Sequence, residues 1–165
     1  MPKLANESMV IDERDHKILD LVQRDAKLAQ AEIAKRVGLS TAAVNERLRK
    51  LESAGVIRGW AAIVDPRAVG IGITAYVDVF IEHPRFEPAF LAKVRSLDAV
   101  QECHHITGEF SLLLKLRVRD IEALQRLLLE EINPMDGVRQ TRTSLVLSTV
   151  KEESFIPTGF QGDLS

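Results

Sequence analysis

Residues 40–50, STAAVNERLRK, carry side chains whose types and spacing could read the edges of nucleic-acid bases. The guanidinium of Arg49 could bind guanine O6 and N7, the amide of Asn45 could pair with adenine, and the methyl of Ala42 could meet a thymine methyl. Ser40 and Thr41 stand where a helix would begin, so their hydroxyls and the free backbone N–H groups could hold phosphate oxygens. The chemistry indicated is non-covalent recognition of DNA.

The charge of the surrounding chain favours the same kind of partner. Residues 30–60 contain six basic and three acidic side chains, a local balance of +3, whereas residues 66–165 contain 11 basic and 14 acidic ones, a balance of −3. Arg47 and Lys50 add to the basic set around Arg49. Glu46 opposes indiscriminate phosphate binding and could accept from a cytosine N4 amine. A basic segment in an otherwise acidic chain indicates a polyanionic partner there.

A second stretch, CHHITGE at 103–109, could suggest a metal site. On a strand, Cys103 and His105 share one face while His104 points to the other, so three ligands would not converge. We therefore expect no metal and no cofactor, with Cys103 a small buried apolar residue. His105 stays a candidate for a ligand pocket or a pH-sensitive group.

The wider composition predicts where the protein works. Cys103 is the only cysteine, which suits a reducing cytoplasm. The first ten residues have no apolar segment of signal-peptide length, and no apolar run approaches the roughly 20 residues that span a bilayer. We expect a soluble, cytoplasmic protein with no membrane partner.

Three short helices must position the recognition side chains. Asp12 is a plausible N-cap for the first helix, the second runs from about residue 30 to Val37, and Gly38 supplies the positive φ that ends it. Ser40 caps the third helix, whose inward face is Val44, Leu48 and Leu51, and Gly55 terminates it. This spacing predicts a helix-turn-helix. The alternative is a plain three-helix packing unit with solvated charges.

The pattern changes after the third helix. Residues 56–66, VIRGWAAIVDP, alternate around a glycine and predict a short hairpin or a single strand. Residues 65–72, DPRAVGIG, are rich in turn formers and predict a linker. The predicted division is therefore a DNA-binding domain at 1–64, a linker at 65–72 and a second domain at 73–165.

The second domain alternates strands and helices in the order βαββαβ, which is the ferredoxin-like arrangement. Strands are predicted at 73–82, 100–107, 111–118 and 138–150, with helices from Phe86 to Leu97 and from 121 to 132 after the cap Asp120. The fold class is α+β. Both helices would cover one face of the sheet, and we expect the other face to be apolar and covered by a second copy of the chain.

From about Ile11 to Pro157 the chain resembles the leucine-responsive and asparagine-synthase regulators, the Lrp/AsnC or feast/famine family. The residues that carry the resemblance are DERDHKILDLVQRDAKL, EIAKRVGLSTAAVNERLRKLESAGVIRGWAAIVDP, ITGEFSLLLKL and GVRQTRTSLVLSTVK. The resemblance implies a transcription regulator whose N-terminal winged helix-turn-helix binds DNA. A symmetric dimer would place two third helices in successive major grooves, which predicts a pseudo-palindromic operator. The resemblance further implies a homodimer that assembles to an octamer or a similar ring, and an amino acid as effector. The effector residues that it implies are His105, Gly108, Glu109, Phe110, Ser111, Leu145 and Val146.

The chain departs from the family pattern at two positions. Ser111 stands where the family usually has an acidic residue able to anchor an α-amino group, and Glu109 could substitute for it. Ala29 stands where the family often has a capping Ser or Thr, which should cost the second helix about 1 kcal/mol of capping.

Two other functions were compatible with the residues. Some relatives of this two-domain layout are tetrapyrrole decarboxylases, for which His104 and His105 would be candidate groups. A stand-alone effector-binding assembly partner with no DNA role is the other alternative. The basic third helix favours a DNA-binding regulator that is not an enzyme.

Overall fold

The computed structural model describes residues 10–158, which form two compact units. The first unit contains residues up to Ala62 and, in addition, the segment that begins at Lys151; the second contains residues 63–150. The predicted division assigned all of residues 73–165 to the second domain. The structure differs from it, because the described residues 151–158 belong to the first unit.

Three helices build the first unit: α1 at Glu13–Arg24, α2 at Gln30–Val37 and α3 at Thr41–Ser53. Their starts and stops follow from local chemistry. Asp12 caps α1 by accepting from the backbone N–H of Asp15, and Ser40 caps α3 by accepting from that of Ala43. Gly38 ends α2 at φ +68°, a conformation that suits glycine.

The predicted absence of a cap on α2 is confirmed, since Ala29 makes no side-chain capping bond. Apolar side chains from all three helices pack into one core, with the members Ile18, Leu19, Val22, Ile33, Ala34, Val37, Val44, Leu48 and Leu51. Burial of this stripe, and not helix propensity, supplies most of the stability of helices this short.

No strand forms between residues 56 and 66, so the predicted hairpin or strand after α3 is wrong for this chain taken singly. The Trp60 indole donates instead to a carboxylate oxygen of Glu52 at 2.6 Å, which ties the extended segment back to α3. Ile63 is left 88% exposed. An isolated strand has no partner for its backbone groups, and here neither neighbouring element supplies one.

The second unit is a four-stranded antiparallel sheet with the strand order β2-β3-β1-β4. The strands are β1 at Ile73–Ile81, β2 at Val100–His105, β3 at Leu112–Val118 and β4 at Val138–Leu145. Helix α4 spans Glu87–Ser96, and α5 spans Ile121–Arg126 and continues as a π-helical turn over Leu127–Ile132. The predicted βαββαβ order is confirmed, although β2 and β4 end earlier than predicted.

Both helices pack on one face of the sheet, which supplies the core of this unit. The buried strand residues are those at odd positions of β1, from Ala75 to Ile81, and at even positions of β3, from Leu112 to Val118. They pack with Phe90, Val94 and Ile132 from the helical layer. Strict alternation of buried and less buried residues along both strands gives the sheet one core face.

The second face of the sheet is largely polar, although Phe80 and Leu113 also lie on it, so the predicted apolar face is wrong. Register places Tyr76 opposite Lys115 and Asp78 opposite Arg142 on this face, with Glu102 beside Lys115 on the next strand. Its charges are paired: Arg142 contacts Asp78 at 2.9 Å, and Lys115 contacts Glu102 at 3.1 Å. The alternation along β1 and β3 already puts Asp78 and Lys115 opposite the core face, so the sequence pattern indicated this polar face and the prediction did not use it.

Candidate nucleic-acid interface and ligand loop

Helix α3 presents the predicted base-reading side chains outward. Val44, Leu48 and Leu51 are buried in the core, which fixes the rotation of the helix about its axis. Ala42, Asn45 and Arg49 lie on the opposite side and are exposed. A helix held along one stripe and exposed along the other can enter a major groove without unfolding its unit.

The N-terminus of α3 is also exposed. The hydroxyl oxygen of Ser40 accepts from the backbone N–H of Ala43 at 3.2 Å, and Thr41 is exposed beside it. Ser40 therefore shapes the first turn in addition to lying where a phosphate would approach. The positive end of the helix dipole and the unpaired N–H groups of this turn favour an anion.

Arg47 has a different environment from the other basic residues of α3. Its guanidinium donates to Asp15 at 2.7 Å and to Asp12 at 2.8 Å, both at the start of α1. Asp15 is 2% exposed and is the buried charged residue of the described chain. These two carboxylates raise the pKa of Arg47, with Asp15 the larger contributor.

Asp12 takes part in the same network. Its oxygens accept from the Asp15 backbone N–H and from Arg47, and these bonds hold the pKa of its carboxyl below the ordinary value. In turn, the Asp15 side chain accepts from the backbone N–H of Asp12 at 3.1 Å, which completes a capping box. The predicted DNA-contacting residue Arg47 is thus engaged in joining α3 to α1.

Glu46 lies between the two remaining basic side chains of α3. It pairs with Arg49 and lies 3.6 Å from the Lys50 ammonium. The hydrogen bond from Arg49 lowers the pKa of Glu46, so this carboxyl is ionised at neutral pH. All three groups are exposed enough for Arg49 and Lys50 to exchange Glu46 for another acceptor at low cost.

The two histidines of β2 do not form a joint site. Register pairs His104 with Leu113 and His105 with Leu112, which puts them on opposite faces of the sheet. The His104 ring lies 3.2 Å from Glu102, and the His105 ring lies 3.4 Å from Glu87 at the start of α4. No group of three possible metal ligands occurs among the described residues, 10–158.

Cys103 packs against the core of the second unit but is only half-buried, so the predicted burial is confirmed in part. Burial raises the pKa of its thiol.

The loop after β2 is held at both of its ends. Ile106 donates its backbone N–H to the Ser111 carbonyl at 3.0 Å, and Ser111 donates to the Val79 carbonyl at 3.1 Å. Gly108 has φ +120°, which other residues adopt only with strain. Phe110 is buried and Glu109 is exposed.

A charged pair, Arg142 with Asp78, lies against the buried ring of Phe110 in the loop. The sequence analysis did not predict this pair. The Arg142 guanidinium lies 4.7 Å from the centre of the Phe110 ring while it pairs with Asp78. This is a cation–π arrangement. The signal available in the sequence was weak, because only the register of β4 on β1 shows that Arg142 faces Asp78.

The remaining predicted effector residues lie elsewhere in the sheet. Leu145 pairs with Ala75, and Val146 donates its backbone N–H to the Thr74 carbonyl. The loop is bonded to Val79, four residues further along β1, which is a separation of about 13 Å. A single chain therefore does not bring the loop and the end of β4 together.

Comparison with known proteins agrees with this geometry. A family model described as winged helix-turn-helix DNA-binding matches residues 11–58, which contain α1, α2 and α3, and one described as Lrp/AsnC ligand binding domain matches residues 74–155. The leucine-responsive regulatory proteins of Salmonella typhimurium and Escherichia coli are each 36% identical over 146 residues, which cover 87% of this chain and 89% of theirs. The chain belongs to the Lrp/AsnC family.

Solved structures of regulators share the fold. A transcriptional regulator of Neisseria meningitidis, solved as a complex with L-methionine, superposes with a TM-score of 0.85 at 32% identity and covers 90% of this chain and 97% of its own. AsnC of E. coli gives a TM-score of 0.83 at 32% identity, with 88% and 98% covered. A feast or famine regulatory protein of M. tuberculosis, complexed with L-methionine, gives 0.82 at 32% identity, also with 88% and 98% covered.

As an Lrp/AsnC protein, the chain is a DNA-binding transcription regulator and not an enzyme, as predicted. The predicted fold, a winged helix-turn-helix followed by an α+β domain, is confirmed by the same comparisons. No helix among residues 10–158 has the length and apolar character to cross a membrane.

Replacing Arg47 with Ala should lower the free energy of unfolding by about 2 kcal/mol, because it leaves the buried Asp15 carboxylate without its charged donor. Urea denaturation followed by circular dichroism measures the change. Arg36→Ala is the matched control, since Arg36 forms an exposed pair with Glu32 and should cost less than about 0.5 kcal/mol. Equal costs for the two variants would contradict a structural role for Arg47.

Proposed function

We propose that α3 reads operator sequence through Arg49, Asn45 and Ala42, with Glu46 as a possible acceptor from cytosine. Support comes from the outward face of α3, whose rotation is fixed by Val44 and Leu51 behind it. On binding, Arg49 gives up its hydrogen bond to Glu46 and donates to guanine O6 and N7 instead. The guanidinium therefore keeps charge-assisted hydrogen bonds in both states.

The phosphate contacts are proposed for residues at the ends of this surface. Ser40 and Thr41 lie at the N-terminus of α3, and Lys50 extends beyond Glu46 as a flexible point charge. Arg47 is not among the proposed DNA contacts, because breaking its bond to Asp15 would leave a buried carboxylate without its charged partner. The cytoplasm is the proposed location, since the protein must share a compartment with DNA.

The proposed assembly is a homodimer that forms an octamer or similar ring. Large apolar side chains flanking the sheet support it: Leu147 is 94% exposed and Val150 is 98% exposed. The polar face of the sheet, with its paired charges, suits a neighbour of the same chain, because a two-fold axis places like surfaces against each other. Two α3 helices related by such an axis would bind a pseudo-palindromic operator.

The proposed effector is an amino acid bound where chains meet. In one chain, about 13 Å separates two groups of proposed effector residues. One group lies in and before the loop, and the other is Leu145 at the end of β4 with Val146 directly after it. The first group is His105, Gly108, Glu109, Phe110 and Ser111. The loop of one chain and the end of β4 of a second chain can together form a complete effector site. The N. meningitidis and M. tuberculosis relatives are L-methionine complexes, which supports an amino acid here, and Glu109 is the proposed anchor for its ammonium group in place of the neutral Ser111.

Arg49→Ala should reduce discrimination at one position of the operator by about 1–3 kcal/mol while sparing the other positions. Selection of bound duplexes from a random pool, followed by sequencing, measures preference at each position. Lys50→Ala is the neighbouring control and should weaken all sequences evenly. If Arg49→Ala also weakened every sequence evenly, Arg49 would be a phosphate contact and the proposed reading surface would be wrong.

Gly108→Leu should abolish the response to the effector while DNA binding is retained, because the side chain and the strained φ reshape the loop. The measurement is the shift in melting temperature with each of the twenty amino acids, beginning with L-methionine. Gly70→Leu is the matched control: Gly70 also has positive φ and open space around it, but lies in the turn before β1. The absence of any shift in the wild-type chain would overturn the amino-acid proposal.

A further inference from the structure

The last described residues of the chain form a specific bonded contact with α1. The side-chain amide of Gln23 donates to the Ile156 carbonyl at 3.0 Å, and the Ile156 backbone N–H donates back to Gln23 Oε1 at 2.8 Å. This two-way exchange satisfies both backbone groups of Ile156, as a neighbouring strand would. The segment is therefore fixed in position and in direction at this residue.

Two side chains on either side of Ile156 add to the contact. The Thr158 hydroxyl donates to Asp20 Oδ1 at 2.9 Å and approaches the His16 carbonyl at 3.4 Å. The Arg24 guanidinium lies 4.2 Å from the centre of the Phe155 ring. Polar, aromatic and backbone groups all contribute, which distinguishes this contact from a single chance hydrogen bond.

All four α1 residues of the contact lie on one stripe. His16, Asp20, Gln23 and Arg24 recur at spacings of four, three and one, which places them within about 100° on the helix surface. Buried residues such as Ile18 and Val22 occupy a different stripe. Helix α1 thus has one face in the core and another under the C-terminal segment.

The path of the chain gives this contact a mechanical consequence. The backbone leaves the first unit after Ala62 and returns to it at Lys151, so two covalent connections join the units. In the second connection, the Val146 backbone N–H is bonded to the Thr74 carbonyl of the sheet, and the Phe155 ring lies against Arg24 of α1. The intervening residues 147–154 can span at most about 30 Å.

We propose that residues 147–158, the C-terminal tether, transmit changes at the end of β4 to α1. This rests on the proposed function, because Leu145 and Val146 are proposed effector residues and immediately precede the tether. Helix α1 in turn holds α3 through the bonds of Arg47 to Asp15 and Asp12. A shift of β4 against β1 therefore reaches the DNA-reading helix along the covalent chain of the tether, its contact with α1 and the bonds of Arg47.

Thermodynamic linkage lets DNA itself serve as the probe, with no effector needed. If the tether couples the units, DNA bound at α3 must change the opening equilibrium at the end of β4. Hydrogen exchange at the Val146 amide, which is bonded to Thr74, reports that equilibrium in the full chain. We expect a selected operator duplex to change this exchange rate by about fivefold, the lower end of ordinary coupling.

A slack tether is the decisive variant. Eight Gly and Ser residues inserted between Val150 and Lys151 lengthen the tether without altering either contact, and the same eight residues appended after Ser165 are the matched control. The insertion should abolish the effect of DNA on Val146 exchange, whereas the control should keep it.

Removal of the bonds between Gln23 and Ile156 tests the end of the tether that contacts α1. Gln23→Ala should speed exchange at the Ile156 amide by about fivefold, the factor that one hydrogen bond contributes, and should weaken the effect of DNA at Val146. Gln125→Ala, at an exposed position of α5, is the matched glutamine control.

Three results would count against the account. Wild-type Val146 exchange that is insensitive to DNA would overturn the tether, and so would a DNA effect that survives the insertion, because the 62–63 connection would then carry the coupling. Failure of the wild-type chain to bind any duplex would instead refute the proposed DNA-reading surface, and the tether with it.

Discussion

One buried carboxylate governs the arrangement of the DNA-binding unit. Asp15 is withdrawn from water, and an ionised group there is tolerated only if charged and polar donors surround it. Arg47 and the capping box with Asp12 provide those donors. The Arg47–Asp15 pair joins α3 to the start of α1, and together with the buried stripe of Val44, Leu48 and Leu51 it holds the orientation of the recognition helix.

This constraint divides the basic residues of α3 between two tasks. Arg47 is occupied at the junction with α1, whereas Arg49 and Lys50 share an exposed glutamate that they can leave readily. A core of nine apolar residues is small for a unit that must stay rigid against a polyanion. The Arg47–Asp15 ion pair lies beside this core and adds a directional contact between α1 and α3, which apolar packing alone does not supply.

Charged side chains are also paired with opposite charges in the second unit. Its sheet buries apolar residues on one face and arranges acid–base pairs on the other. A face of this kind does not need to be covered for stability, but it can meet a copy of itself. In the proposed function, an effector bound between the loop of one chain and the end of β4 of another would make ligand binding and association parts of one process.

Local chemistry could be predicted from the sequence, and distant contacts could not. The caps at Asp12 and Ser40 and the turn at Gly38 depend on residues three or four positions apart, so their pattern is visible in the sequence. Arg47 and Asp15 are 32 positions apart, and Gln23 and Ile156 are 133 apart. No periodicity reports such pairs. The polar face of the sheet is different, because the alternation of β1 and β3 already puts Asp78 and Lys115 opposite the core face; only the pairing of Asp78 with Arg142 needs the register of β4 on β1.

A structure of the full chain bound to a selected duplex tests the central claim most directly. The account predicts the Arg49 guanidinium and the Asn45 amide at base edges, with Arg47 still about 3 Å from Asp15. Arg47 released from Asp15 and placed against a base or a phosphate would contradict it, because the buried carboxylate would then not be what orients the recognition helix.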